Sequence, residues 1–481
     1  MNSRYLYTFF LLIPVVALIW LIKPSEPGYI EGELITSSML NRSQAVSNYE
    51  RYCASCHGMH MERFAGADRE AMFNMPVDQM VAIIRDGDLT TGMPAFGDAL
   101  TTDEISDIAT YILTDMKEAS RTFEYRPVMD PVQKTERVNF RLDTLITGLE
   151  VPWGMVWLPD GDMLVGERSG QLFRFRDGVF ISVIEGLPPI FAHGQGGLLD
   201  LRLHPGYEDN GWLYLSYSTY GPGGPAEGGN TAIMRARLDG NRLADREEIF
   251  KGIPDTRNGV HFGCRMVFCD DGYLFFSIGD RGNWDNSQDL TNHAGKIHRI
   301  KDDGTIPAGN PFVDHPGAMP SIWSYGHRNP QGLVKHPETG VIWSTEHGPR
   351  GGDELNIIRK GLNYGWPVIS YGINYNGTII TELTEKEGME QPVIEWTPSI
   401  APCGMTFVTG EPFRAWNNSI LSGSLSFRYL VRNEIEGEEV VHEEILLREI
   451  GRVRNVDLGP DGMVYVAVEN PGVIYRLVPV E

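Results

Sequence analysis

Between residues 139 and 481 a turn followed by a β-rich run recurs six times, and no other feature restricts the fold as strongly. The copies begin Leu158-Pro159-Asp160-Gly161 with Met163-Leu164-Val165, and His204-Pro205-Gly206 with Trp212-Leu213-Tyr214-Leu215. Next come Asp270-Asp271-Gly272 with Tyr273-Leu274-Phe275-Phe276, and His336-Pro337-Glu338-Thr339-Gly340 with Val341-Ile342-Trp343. Asn417-Asn418 with Ile420-Leu421 is the weakest copy, and Pro460-Asp461-Gly462 with Met463-Val464-Tyr465-Val466 the last. Several are followed by a strand bearing a basic residue near its end, as in Leu172-Phe173-Arg174 and Val473-Ile474-Tyr475-Arg476. A four-stranded unit in six copies predicts an all-β, six-bladed β-propeller over 139–481, because six similar turns are hard to place in a pair of packed sandwiches. A propeller collects loops from every blade at one end of its channel, so a site built from residues far apart in sequence is expected.

The chain ahead of the repeats is of another kind. Cys53-Ala54-Ser55-Cys56-His57 has the spacing for covalent attachment of haem c, with both thiols on the porphyrin and His57 on the iron. A zinc half-site would need a second Cys or His pair nearby. Cys264, Cys269 and Cys403 lie far away and form no such pair; a redox dithiol is the other alternative. Ala45, Tyr49, Tyr52 and Cys56 follow helical spacing, which places the motif at the end of an amphipathic helix. Thr91-Gly92-Met93-Pro94-Ala95-Phe96 resembles the distal-methionine loop of small class I cytochromes c, making Met93 the expected sixth ligand. Met59 and Met61 stand too close to His57 to reach the opposite haem face, and Met72 and Met75 lack the Gly-Met-Pro turn. Thr101-Thr102-Asp103-Glu104 forms a capping box opening a helix whose Ile105, Ile108, Ala109 and Ile112 share one face. A small all-α cytochrome c domain is therefore expected at 43–117. His/Met ligation favours a fairly high potential and electron transfer rather than oxygen chemistry. Residues 118–138, with Pro127 and Pro131, read as a linker; it spans up to roughly 70 Å and does not fix how the domains sit together.

At the N-terminus Tyr5 to Ile22 is apolar and uncharged, between Arg4 and Lys23. As a helix it spans roughly 27 Å, just enough to cross a bilayer core. No Ala-x-Ala site follows, so residues 1–28 read as an uncleaved anchor, with a cleaved signal and a soluble periplasmic protein as the alternative. The basic flank keeps that end in the cytoplasm and places the rest on the periplasmic side of a bacterial inner membrane. The 481 residues carry 64 acidic and 41 basic side chains, a formal charge of -23 that repels phosphate backbones and excludes nucleic acid as a natural partner.

One stretch of the repeat region concentrates polar chemistry. Val260-His261-Phe262-Gly263-Cys264-Arg265 runs through the apolar Met266-Val267-Phe268 and the turn Asp270-Asp271-Gly272 to Ser277-Ile278-Gly279-Asp280-Arg281-Gly282. Two adjacent antiparallel strands would bring His261 and Asp280 to one end of a sheet, where a carboxylate that fixes the tautomer makes the imidazole a usable base. Taken alone, the stretch reads better as a surface loop histidine and a turn aspartate.

Further motifs change that balance. They are Gly194-Gln195-Gly196-Gly197-Leu198-Leu199, Gly326-His327-Arg328-Asn329-Pro330-Gln331-Gly332, Glu346-His347-Gly348-Pro349-Arg350-Gly351-Gly352-Asp353-Glu354 and Asn363-Tyr364-Gly365-Trp366-Pro367. With the His261 and Asp280 segments, and in this order, they resemble the soluble glucose, aldose and sorbosone dehydrogenase family, six-bladed propellers carrying pyrroloquinoline quinone (PQQ). The resemblance implies that Arg328, Arg452 and Arg454 contact the tricarboxylate cofactor, with Asn329 and Gln195 as neutral partners. Guanidinium groups suit that task because they stay charged and pair with carboxylates in bidentate fashion. It also implies a calcium ion on the backbone carbonyls of Gly348 and Pro349, with Asp353 and Glu354 orienting the loop. It makes His261 the general base, Asp280 its orienting partner and Arg328 a stabiliser of developing charge. The expected activity is oxidation of an aldose-type sugar, with electrons passing to the fused haem and on to a respiratory carrier. One position departs from the family: Ser426 stands where relatives carry a lysine, with Arg428 on the same strand face as a substitute. A calcium-dependent lactonase-like hydrolase and a degenerate propeller acting only as a binding module are the competing readings. Cys264 and Cys403 read as small buried residues.

Overall fold

The computed structural model describes residues 37–59, 61, 66–88, 91–122 and 129–480. The apolar segment 5–22 expected to anchor the chain lies outside them, and among the described residues no helix is long and apolar enough to cross a membrane.

Helix α1 (Ser37–Tyr52) buries Ala45 and Tyr49, as their spacing predicts, but stops one residue before the haem motif. Cys53 turns the chain, and α2 (Ala54–His57) carries the remainder of the motif. Helices α3 (Gly66–Phe73) and α4 (Val77–Asp86) follow. Helix α5 (Thr102–Tyr111) starts at the predicted capping box: the Glu104 N–H donates to Thr101 Oγ1 at 3.3 Å, and the Thr101 N–H donates to Glu104 Oε2 at 2.9 Å. Its Ile105, Ile108 and Ala109 are buried in one cluster with Tyr49, Cys53, Phe96 and Ile112.

Among the described residues the remaining strands form six sheets, each antiparallel from its inner to its outer strand. The inner strands are Pro152–Trp157, Leu198–Leu203, Met266–Phe268, Pro330–Lys335, Pro402–Phe407 and Val453–Leu458, and each contacts the next around a closed ring. All six turns picked out in the sequence join a first strand to a second, so the repeat is one blade. The last blade is completed from the other end of the propeller: Phe140–Ile146 pairs with Val473–Pro479, Phe140 opposite Pro479. Val132–Gln133, inside the segment read as linker, adds a further strand opposite Arg141 and Phe140. The Glu136 N–H donates to Glu444 Oε1 at 2.8 Å and Arg137 pairs with Glu434 at 2.7 Å, so the end of that segment is laid against the propeller.

The apolar core lies between blades. Val156, Leu164 and Leu172 of the first pack with Leu213, Leu215 and Ala232 of the second. Each of these valine and leucine side chains removed from water contributes about 1.5–3 kcal/mol. The channel itself holds a polar hub. Arg265 is 1% exposed and donates to the carbonyls of Gln331 and Arg454 and to the Asp200 carboxylate at 3.0, 2.9 and 3.2 Å. Its guanidinium also lies 3.9 Å from the centre of the Trp153 ring. One side chain thus ties together the inner strands of five blades.

Candidate active site

The strands Met266–Phe268 and Tyr273–Ile278 are antiparallel, Met266 opposite Phe276, so the residues before the first and after the second emerge at one end. There His261 Nδ1 lies 2.6 Å from Asp280 Oδ1. The loop between His261 and the strand is tightly wound: His261, Gly263 and Cys264 have φ of 54°, 65° and 85°. Left-handed backbone at non-glycine residues stores strain and gathers at functional sites. Gly279 permits the approach, since a Cβ there would lie 2.5 Å from the His261 carbonyl oxygen and 2.8 Å from Asn329 Oδ1. The buried Arg281 supports the loop from below, donating to the carbonyls of Val260 and Asn258 with its guanidinium 3.4 Å from the Phe262 ring centre.

Asp280 is fully buried and satisfied on both oxygens. Oδ1 accepts from His261 and from the Gly282 N–H at 2.8 Å, and Oδ2 accepts from Trp366 Nε1 at 2.9 Å. Burial pushes its pKa up, but His261, Arg328 and the Gly282 N–H outweigh burial and hold it below the usual carboxylate value. With an ionised carboxylate at Nδ1, the Nδ1–H tautomer leaves Nε2 as the lone-pair nitrogen. Burial, opposed by Asp280 and assisted by Arg328, lowers the His261 pKa below 6.5, so the imidazole is neutral at pH 7. The Gln195 side-chain oxygen accepts from the His261 N–H at 2.9 Å.

Next to this dyad opens a cavity of about 1160 Å³. Its wall includes Gln195, Asn329, Gly348, Pro349, Arg452 and Arg454 from the predicted set. His261, Asp280 and Arg328 are not part of that wall; Gln195 and Phe262 link it to the dyad. Arg328 lies behind, donating to the carbonyls of His347 and Gly348 at 3.1 and 2.6 Å, and its buried Nε has no partner among the described residues. As expected of an orienting carboxylate, Asp353 accepts from the Gly348 and Ala401 N–H groups at 2.8 and 2.6 Å. Glu354 accepts from Asn356 at 2.8 Å, away from the Gly348 loop. Cys264 and Cys403 are both fully buried; burial pushes the Cys264 thiol up to about 12.

Three features differ from the sequence reading. Arg452 and Arg454 do share an anion, but it is the chain's own: both donate to Glu469, Arg452 Nε at 2.8 Å and Arg454 Nε at 2.5 Å. Hairpin register brings Glu469 there, as its N–H donates to the Arg452 carbonyl at 2.9 Å. The turn Pro460-Asp461-Gly462 between equal runs carried that information. Arg428 does not replace the missing lysine. The strand ends at Ser424, and residues 425–428 bend so that Arg428 meets Glu449, 2.8 Å away, while Leu425, Ser426 and Phe427 line the cavity. Trp366, inside one of the quoted motifs, proves to be the second anchor of Asp280, with Arg328 5.4 Å from its ring centre.

In the haem domain, Cys53 is buried and Met93 packs against the same cluster. The Cys56 side chain lies outside the described residues. Asp88 and Met93 exchange backbone hydrogen bonds at 2.8 and 2.9 Å. The sulfur of buried Met61 accepts from the Tyr49 hydroxyl at 3.4 Å within that cluster.

Comparison with known proteins agrees with this architecture. Residues 149–476 match the family described as glucose/sorbosone dehydrogenase, and residues 41–112 match that of cbb3-type cytochrome c oxidase subunit III. The aldose sugar dehydrogenase of Escherichia coli is 40% identical over 346 residues, covering 70% of this chain and 92% of that protein. The crystal structure of the soluble Escherichia coli enzyme in its apo form superposes with a TM-score of 0.68 at 37% identity, over 71% of this chain and all of that one. A PQQ-bound aldose sugar dehydrogenase from Streptomyces coelicolor superposes at 0.58 with 28% identity, over 71% of this chain and 98% of that one. With residues 149–476 matching the family and a relative 40% identical over 92% of its length, the chain belongs to the glucose/sorbosone dehydrogenase family and carries an N-terminal cytochrome c domain.

Proposed function

We propose that this protein is a PQQ-dependent aldose dehydrogenase that delivers electrons to its own haem c and from there to a respiratory carrier. The observation that carries the reading is the His261–Asp280 pair, with Nε2 as the basic nitrogen, beside a large cavity bearing paired arginines. The cavity chemistry fits a flat tricarboxylate. Arg452 and Arg454 stand on its wall with the Gln195 and Asn329 amides, and the two guanidinium charges exceed the single charge of Glu469. The homologue with PQQ bound supports the same assignment. The carbonyls of Gly348 and Pro349 would hold calcium together with the cofactor's own oxygens; Gly348 shares its carbonyl with Arg328.

When bound, PQQ supplies a quinone that accepts a hydride, and haem c a one-electron carrier. The chain's residues do the rest. His261 Nε2 takes the proton of the anomeric hydroxyl, Asp280 holds the ring and stabilises the imidazolium, and Trp366 holds Asp280. Arg328, behind the cavity wall, steadies the negative charge that develops on the substrate side. The product is a lactone. Cys53, Cys56, His57 and Met93 would hold the haem. Residues 5–22 support placement on the periplasmic side of the membrane, anchored by that segment.

The test is to express the exported part with haem attached, add PQQ and calcium, and follow the haem spectrum against a panel of aldoses and alcohols. Reduction that needs both PQQ and one substrate class supports the proposal. Failure to bind PQQ would count against it and would point to Ser426.

A further inference from the structure

The haem domain and the propeller meet at the active-site rim. Val260, the residue before His261, is 8% exposed and sits in a slot between two glycines. A Cβ added to Gly282 would lie 2.9 Å from Val260 Cγ2, and one added to Gly92 would run into Val260 Cγ1. Gly282 belongs to the Asp280 loop, whereas Gly92 belongs to the haem domain and immediately precedes Met93. Both glycines have left-handed backbone, φ of 72° and 82°, that a side chain would strain. A second observation places the domain in the same position: Arg51, in the last turn of α1, and Arg69 of α3 help to wall the 1160 Å³ cavity.

We infer that the methionine loop of the haem domain docks on Val260, and that this contact is where electrons leave the propeller. The inference rests on the dehydrogenase reading above. Oxidising one sugar C–H and O–H pair to C=O releases two electrons and two protons. The hydroxyl proton goes to His261 and the hydride to the bound quinone. The two electrons then cross one at a time, each converting one ferric haem to ferrous, and both protons pass to water. A one-electron carrier outside the chain reoxidises the haem. The seating of Met93's own loop against the base's own loop joins the two domains at this point, which the length of the linker alone does not fix.

The docking can be trapped. Cβ positions at 92 and 260 lie 3.6 Å apart, inside the range of about 3.5–4.5 Å that a disulfide spans. The double variant Gly92→Cys, Val260→Cys in the full-length holoprotein should cross-link nearly completely on mild oxidation, read by peptide mass mapping. Gly92→Cys with Lys360→Cys, in a separate cleft lined by Trp323 and Lys335, should not. The cross-linked protein should still reduce its haem with sugar. A second variant, Val260→Trp, fills the seat from the propeller side. It should slow sugar-driven haem reduction at least tenfold more than it slows turnover with a small diffusible acceptor. Absence of the 92–260 cross-link, unchanged haem reduction in Val260→Trp, or a locked protein that oxidises sugar without reducing haem would each overturn the inference. If the parent protein oxidises no sugar with any acceptor, the dehydrogenase reading fails, and the cross-link alone still decides whether the loop docks.

Discussion

Two histidine–carboxylate pairs stand close together on this propeller, and they differ in the nitrogen that the carboxylate leaves over. His261 Nδ1 lies 2.6 Å from Asp280, and Nε2 has no hydrogen-bond partner among the described residues. His327 Nδ1 lies 2.7 Å from Glu346, but its Nε2 is also engaged, 2.9 Å from the Ser324 hydroxyl. His327 is completely buried and stacked 4.5 Å from the Tyr364 ring centre. The same pair of functional groups is therefore a candidate base at one position and a structural brace at the other. An imidazole accepts a proton only if a lone pair faces something that can give one.

The comparison can be broken in four ways. His261→Ala should lower kcat/KM for sugar about 10²–10⁴-fold with PQQ still bound, the range a positioned general base supplies; a loss below tenfold would remove His261 from that role. Asp280→Asn should cost somewhat less and also move the pH profile. Burial lowers the His261 pKa and Asp280 opposes it, so the acid limb of kcat/KM in the parent should lie below pH 6.5. Removing the anion lowers the imidazole pKa further, and the limb should shift to still lower pH; a shift upward would contradict the assignment. His327→Gln should act on stability instead, by about 1–3 kcal/mol in denaturant unfolding, because Glu346 and Ser324 lose a buried partner. Its acid limb should not move. Trp366→Phe should have the smallest effect, a several-fold loss of kcat as Asp280 gives up one donor, with the base pair intact.

The two domains differ in how far their sites could be read in advance. The haem motif is a local object: both thiols and the histidine lie within Cys53–His57, and the capping box of α5 lies within Thr101–Glu104. Spacing alone encodes such features, since neighbours in a helix or turn are neighbours in the chain. The dyad was partly legible for the same reason, because one hairpin separates His261 from Asp280. Glu469, Trp366 and the seat of Arg428 were not. Each depends on a partner brought in from another strand or another blade, or on where a strand ends.

The sequence by itself determined the six blades, the haem motif and the residue types of the site, because turn chemistry, strand alternation and thiol spacing are local. Tertiary structure alone decided which histidine keeps a basic nitrogen, which carboxylate takes the arginine pair, and that Gly92 meets Val260. Those outcomes depend on burial and on contacts between distant segments. A side chain's proton affinity and its available lone pairs are set by whatever the fold places against it.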